Sequence, residues 1–138
     1  MAGFTFRYRA SGGAPTIESV LSGLTGTLTK GDMCSLASGE IVLGATSATA
    51  FLGEVLQTGA VVDGVTRVSV ITDADAVYAV TDANARLKGA TLDIAGATGA
   101  QTVAASSNKE FVVVVDCTAT EETLVRFNVG KHFGLVAL

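Results

Sequence analysis

The chain has 138 residues, of which 49% are hydrophobic and only 16% charged, with a formal net charge of −4 and a mean hydropathy of +0.50. That length suits one ordinary domain, and the hydrophobicity excludes an intrinsically disordered chain. No apolar run is longer than that from Phe111 to Val115, far short of the ~20 residues a membrane-spanning helix needs, so no membrane partner is expected.

The charge is unevenly placed. Arg7 and Arg9 are the only charged side chains before Glu18, and the remainder carries seven basic against thirteen acidic residues. An acidic body without clustered Lys and Arg argues against nucleic acid as a partner. The start, MAGFTFRYRASGGAP, lacks the apolar stretch of a secretory signal. Cys34 and Cys117 stand far apart in no metal-type spacing, and two reduced, buried thiols are the expected state, consistent with synthesis in a cytoplasm.

In chain order, Phe4, Phe6 and Tyr8 alternate with Thr5, Arg7 and Arg9, the period of a strand. Full extension would place the three aromatics on one face and the two arginines on the other. Ser11-Gly12-Gly13-Ala14-Pro15 reads as a flexible joint. Residues 1–15 are therefore expected to form an extended N-terminal arm and hinge, and residues 16–138 a β-rich domain. Thr16 to Leu24 fits either a two-turn helix or a strand.

From Leu28 onwards the pattern is β. Lys30-Gly31-Asp32 forms a turn before Met33 to Leu36, and Ser38-Gly39-Glu40 forms another before Ile41 to Leu43. Strands are expected in Ala50 to Gln57 and, after the Asp63-Gly64 turn, in Val65 to Thr72. Val77 to Thr81 is assigned to a strand despite its alanines, with Asp73, Asp75 and Asp82 in solvated turns. Gly89 to Ile94 alternates, Phe111 to Val115 reads as a central strand buried on both faces, and Thr123 to Val129 alternates again. The apolar tail from His132 to Leu138 is expected to pair. Strands at roughly ten-residue intervals separated by glycine turns predict an all-β domain, a β-barrel or a β-sandwich.

Reactive chemistry is sparse. A Cys117–His132 pair with Asp116 is the one triad available, but Cys117 closes a valine run where a thiol is inert packing, and His132 is read as a surface or interface residue. Asp73, Asp75 and Asp82 do not match a calcium loop, and the sixteen glycines include no phosphate-cradling motif. The sequence implies no enzyme, no cofactor and no metal.

The order of these segments resembles the head-decoration, or capsid cement, proteins of tailed bacteriophages. The resemblance runs through the arm (Phe4 to Arg9), the Lys30-Gly31-Asp32 turn, Phe51-Leu52-Gly53-Glu54-Val55, Val65 to Thr72, Ala76 to Thr81 and Gly89 to Gly96. It continues through Gly99-Ala100-Gln101-Thr102-Val103, the Phe111 to Val115 strand and Val125-Arg126-Phe127. The resemblance implies a non-enzymatic virion protein on the capsid exterior, a homotrimer bridging major capsid protein subunits against internal pressure. It also implies that an N-terminal arm, here Phe4, Thr5, Phe6, Arg7, Tyr8 and Arg9, binds the capsid or a neighbouring subunit by extending a sheet. The alternatives are another phage assembly subunit, in the tail tube or head–tail connector, and a β-barrel module for a small ligand or glycan.

Overall fold

A computed structural model describes residues 3–46, 48, 50–105 and 107–135. Among these are thirteen strands: β1 (Phe4–Arg9), β2 (Ile17–Leu21), β3 (Gly26–Leu28), β4 (Met33–Ala37), β5 (Glu40–Leu43), β6 (Phe51–Glu54) and β7 (Gly59–Val61), followed by six more. These are β8 (Arg67–Ile71), β9 (Ala76–Val80), β10 (Thr91–Ala95), β11 (Thr102–Ala105), β12 (Phe111–Val113) and β13 (Thr123–Phe127). A 3-10 turn at Phe133–Leu135 follows, and residues 136–138 of the expected paired tail lie outside the described residues. The domain is all-β, as its alternation and glycine turns predict. The open choice at Thr16 to Leu24 resolves to strand β2, which pairs with β8 through Val20 opposite Val68.

The large sheet has six antiparallel strands in the order β1-β9-β13-β12-β10-β11. A three-stranded sheet, β5-β4-β6, faces it, and two ribbons, β2-β8 and β3-β7, lie beyond. The arrangement is sandwich-like and does not close into a barrel. Its middle sheet serves two cores because successive side chains on β4 and β6 point to opposite faces. Met33 and Phe51 enter one core with Phe4, Tyr78, Phe111 and Phe127, whereas Cys34 and Leu52 enter the other with Leu28, Val55, Val68 and Val70. Both cysteines are free and buried, as expected, and burial pushes the Cys34 thiol up to about 12.

The first core is held by an aromatic mesh. Phe51 lies 5.5 Å from Phe111 and 6.0 Å from Phe127, Phe111 lies 5.4 Å from Phe4, and Tyr78 meets Phe127 edge-on at 5.9 Å. Such pairs each add about 0.5–1.5 kcal/mol beyond their area burial.

Three expectations need correction. Phe111 to Val115 is not buried on both faces: Phe111 and Val113 enter the core, Val112 is half-buried on the other side, and Val115 is 48% exposed. The cause is the one-sided packing of the large sheet, which leaves alternate residues outside. Nor are the turn aspartates all solvated. Asp73 and Asp82 are buried, where Asp73 accepts the Thr16 N–H at 2.6 Å and meets Arg9 at 3.4 Å, and Asp82 meets Arg86 at 2.6 Å. Burial of these acids is offset by backbone donors and arginines at the strand ends.

His132, third, is a core residue and not a surface one. Its ring is 1% exposed and packs 4.8 Å from Phe127, while its backbone bridges to Phe51. The Gly134 N–H donates to Nδ1 at 2.9 Å, so the proton sits on Nε2, which donates to the Leu52 carbonyl at 2.8 Å. Burial lowers the imidazole pKa from its ordinary 6.5, against the opposing effects of backbone hydrogen bonds at Leu52 and Thr72 and the charge of Asp73.

A Cβ at Gly53 would stand 1.7 Å from the Ile71 carbonyl oxygen, inside bonded backbone that cannot yield, so Gly53→Ala should cost at least about 4 kcal/mol in urea unfolding. An unfolding midpoint like that of the wild type would contradict this close approach of β6 to β8. For His132, the folded state binds a proton more weakly than the unfolded state. Its contribution is therefore complete above about pH 6.5 and is lost as pH falls below that value. Glu54, whose carboxyl burial raises, acts in the opposite direction, so the relevant quantity is the difference between wild type and His132→Gln. The melting-temperature advantage of the wild type should shrink between about pH 7 and about pH 5; a constant difference would refute the assignment.

Candidate interface on the outer sheet face

The segment Phe4–Arg9, expected to be an arm, forms the outermost strand of the large sheet as β1. Phe4 pairs with Val80, Thr5 with Ala79 and Phe6 with Tyr78, but Tyr8 pairs with Val77, which leaves Arg7 as the extra residue of a bulge. The bulge reverses the alternation. Tyr78 and Val77 point to opposite faces, so Phe6 shares the core face with Phe4, whereas Tyr8 is turned outward. The single aromatic face expected from unbroken alternation is thus divided. Phe4 is 1% exposed and Phe6 meets Tyr78 edge-on at 6.2 Å, while Tyr8 is 45% exposed. Among the described residues each of the other seven aromatic side chains has a ring neighbour, whereas Tyr8 has none.

The polar residues of β1 fasten it in place. Arg7 pairs with Glu122 at 2.6 Å, reaching across β9 to the residue before β13. Arg9 meets Asp75 at 3.0 Å, and Asp75 also takes the Ser11 N–H and hydroxyl. The Ser11 hydroxyl, its N–H and Arg9 together hold the Asp75 carboxyl down at about 2.

The outer edge of β1 is already occupied. The Phe4 N–H donates to the Gly31 carbonyl at 2.8 Å, and the Phe6 N–H donates to Glu54 Oε1 at 2.8 Å. Burial pushes the Glu54 carboxyl above its ordinary value, opposed by the Phe6 hydrogen bond and by Lys30. A strand added at this edge would have to displace both acceptors. What β1 offers outward is its face: Thr5, Arg7 and Tyr8 are exposed.

That face carries a groove. The register places Tyr8 of β1, Val77 of β9, Arg126 of β13 and Val112 of β12 side by side in one row across the sheet. With Val114, Lys88 and Gly89 they line a depression of about 440 Å³. A second depression of about 250 Å³ shares Val112 and Arg126 and runs on to Asp75 and Val129, which is 85% exposed. Lys88 carries no motif, and Arg126 and Val112 stand in the sequence only as members of strand segments, with no binding role assigned. The available signal was the alternation in Phe111 to Val115, which marks Val112 and Val114 as a second face once that strand is one-sided.

The residues of the one available triad do not assemble. Both imidazole nitrogens of His132 are engaged with backbone, while the Cys117 thiol lies 3.5 Å from the Thr123 hydroxyl and Asp116 takes the Lys88 N–H. Among the described residues no group of three or more His, Cys, Asp or Glu side chains is placed to hold a metal ion, and no helix is long and apolar enough to cross a membrane. No protein-family model matches the chain, and no curated protein matches its sequence.

Proposed function

We propose that the chain is a structural virion protein that binds the outer surface of a bacteriophage capsid and stabilises the shell as a trimer bridging major capsid protein subunits. The observation carrying this reading is Tyr8, the aromatic that the Arg7 bulge turns out of the core onto an apolar sheet face. Exposed aromatics beside apolar pockets dominate the energetics of protein interfaces, and a rigid sheet face presents one at low entropic cost. The ion pairs of Arg7 at the bulge and Arg9 at the strand end keep that face in a fixed geometry before binding. A trimer on the shell engages several such faces together, so moderate individual contacts resist the separation of neighbouring subunits. Contact is made by the outward side chains of β1, Thr5, Arg7 and Tyr8. Phe4, Phe6 and Arg9 support them from the core and the strand end.

Co-sedimentation with expanded, undecorated capsids of the encoding phage tests it. The wild type should pellet with capsids and raise the temperature at which they release their contents. Tyr8→Ala should weaken binding by about 30-fold, the ~2 kcal/mol of an interface anchor, while retaining the wild-type melting temperature within a few degrees because Tyr8 lies outside the aromatic core. Absence of wild-type binding, or assembly of the purified chain into rings or filaments of the tail-tube kind, would overturn the proposal.

A further inference from the structure

We infer that the Tyr8–Val112 groove receives an extended polypeptide segment in which apolar side chains flank a carboxylate, supplied by the capsid subunit. The inference rests on the capsid reading for the source of the segment, but the chemistry of the groove is independent of it.

The shape comes first. Tyr8, Val77, Arg126 and Val112 are direct cross-strand neighbours on four adjacent strands, so their row spans three interstrand spacings, about 14 Å. An extended chain of four to five residues covers the same ~14 Å at about 3.3 Å per residue. The floor is Val77, and the walls are the Tyr8 ring at one end and Val112 and Val114 at the other. These surfaces suit branched aliphatic side chains and leave a compact apolar core for a small interface.

The charge then selects the occupant. The charged residues lining this groove are Lys88 and Arg126, both cations, in a chain whose net charge is −4. Among the described residues neither forms an ion pair, whereas Arg7, Arg9 and Arg86 all do. Acids on the neighbouring elements are committed elsewhere: Asp116 to the Lys88 N–H, Asp75 to Arg9 and Ser11, and Glu122 to Arg7. A carboxylate entering beside Val77 meets two cations without displacing an internal partner. Arg126 presents a planar fork suited to carboxylate, and Lys88 adds a point charge. A basic segment would be repelled, and a purely apolar one would leave both cations desolvated and unpaired.

Amide chemical-shift titration of the full chain with acetyl-Val-Glu-Val-Glu-Val-amide, and with its Gln counterpart, tests the groove directly. The Glu peptide should shift Tyr8, Val77, Lys88, Val112 and Arg126, and it should bind about tenfold more tightly than the Gln peptide. Raising NaCl from about 0.05 to about 0.5 M should remove most of that preference. The double variant Lys88→Gln/Arg126→Gln should bind the two peptides equally while keeping the wild-type spectrum elsewhere. Equal affinity for both peptides in the wild type, no shifts at these residues, or self-association that competes with the Glu peptide would overturn the inference. Capsid co-sedimentation separates this from the wider reading. If wild type and double variant decorate capsids equally, the groove assignment fails and the capsid reading stands. If the Glu peptide binds the groove but the wild type does not decorate capsids, the capsid source fails and the groove chemistry stands.

Discussion

The packing of Phe51 against Phe111 and Phe127 is the contact on which the rest of the domain depends. Strands of three to six residues bury little surface individually, and the small ribbons have no independent core of the size a stable sheet requires. Phe51 carries the middle sheet onto the large one, and Leu52, its neighbour on the opposite face, carries the ribbons onto the middle sheet. Phe4, Tyr78, Phe111 and Phe127 come from four different strands of the large sheet, so the mesh also sets how those strands lie together. His132 closes it from the C-terminal side as a neutral imidazole, which explains why a histidine is accommodated there without an acidic partner in contact.

Between these layers the backbone needs acceptors that no neighbouring strand supplies. Buried side chains provide them. Asp32 accepts from the N–H groups of Thr29 and Gly99 at 2.8 Å and from the Thr98 hydroxyl. Gln101 accepts from Met33 N–H at 2.6 Å and donates to Gly44 at 3.0 Å, and Glu110 accepts from Ile94 N–H at 2.8 Å. Glu54 does the same for Phe6 at the edge of β1. Among the described residues no buried side-chain nitrogen or oxygen lacks a partner. A chain with few charges thus spends several of them inside, binding sheet to sheet, and that use accounts for part of its apolar exterior.

Alternation and turn chemistry made the strands legible: β8, β10 and β13 fall where apolar residues recur at every second position, and β4, β5 and β9 are short apolar runs bounded by glycine or aspartate turns. The all-β class followed directly, whereas the choice between barrel and sandwich did not, because strand order depends on long-range pairing such as β1 with β9. Three features escaped local pattern for the same reason. The bulge at Arg7 is invisible in a segment that alternates without a break, yet it decides which aromatic faces outward. His132 gave no periodic signal, and its burial comes from packing on Phe127 and from a backbone bridge to Phe51, which is far away in the chain. Asp73 looks like an ordinary turn residue until Arg9, distant in the chain, is seen beside it in space. Of the candidate site, Tyr8 and Arg7 were visible as part of an aromatic and basic segment, but Lys88, Arg126 and the Val112 wall exist only through cross-strand register.

The N-terminal segment is a strand of the large sheet whose bulge presents Tyr8, rather than a detached arm. Native-state hydrogen exchange of the β1 amides tests this most directly. The Phe4 and Phe6 amides, which donate to Gly31 and Glu54, should exchange as slowly as the core amides of β9 and β13, because opening β1 requires withdrawing two rings from the aromatic mesh. Exchange of these amides at the rate of an unstructured peptide, with β9 still protected, would contradict the account.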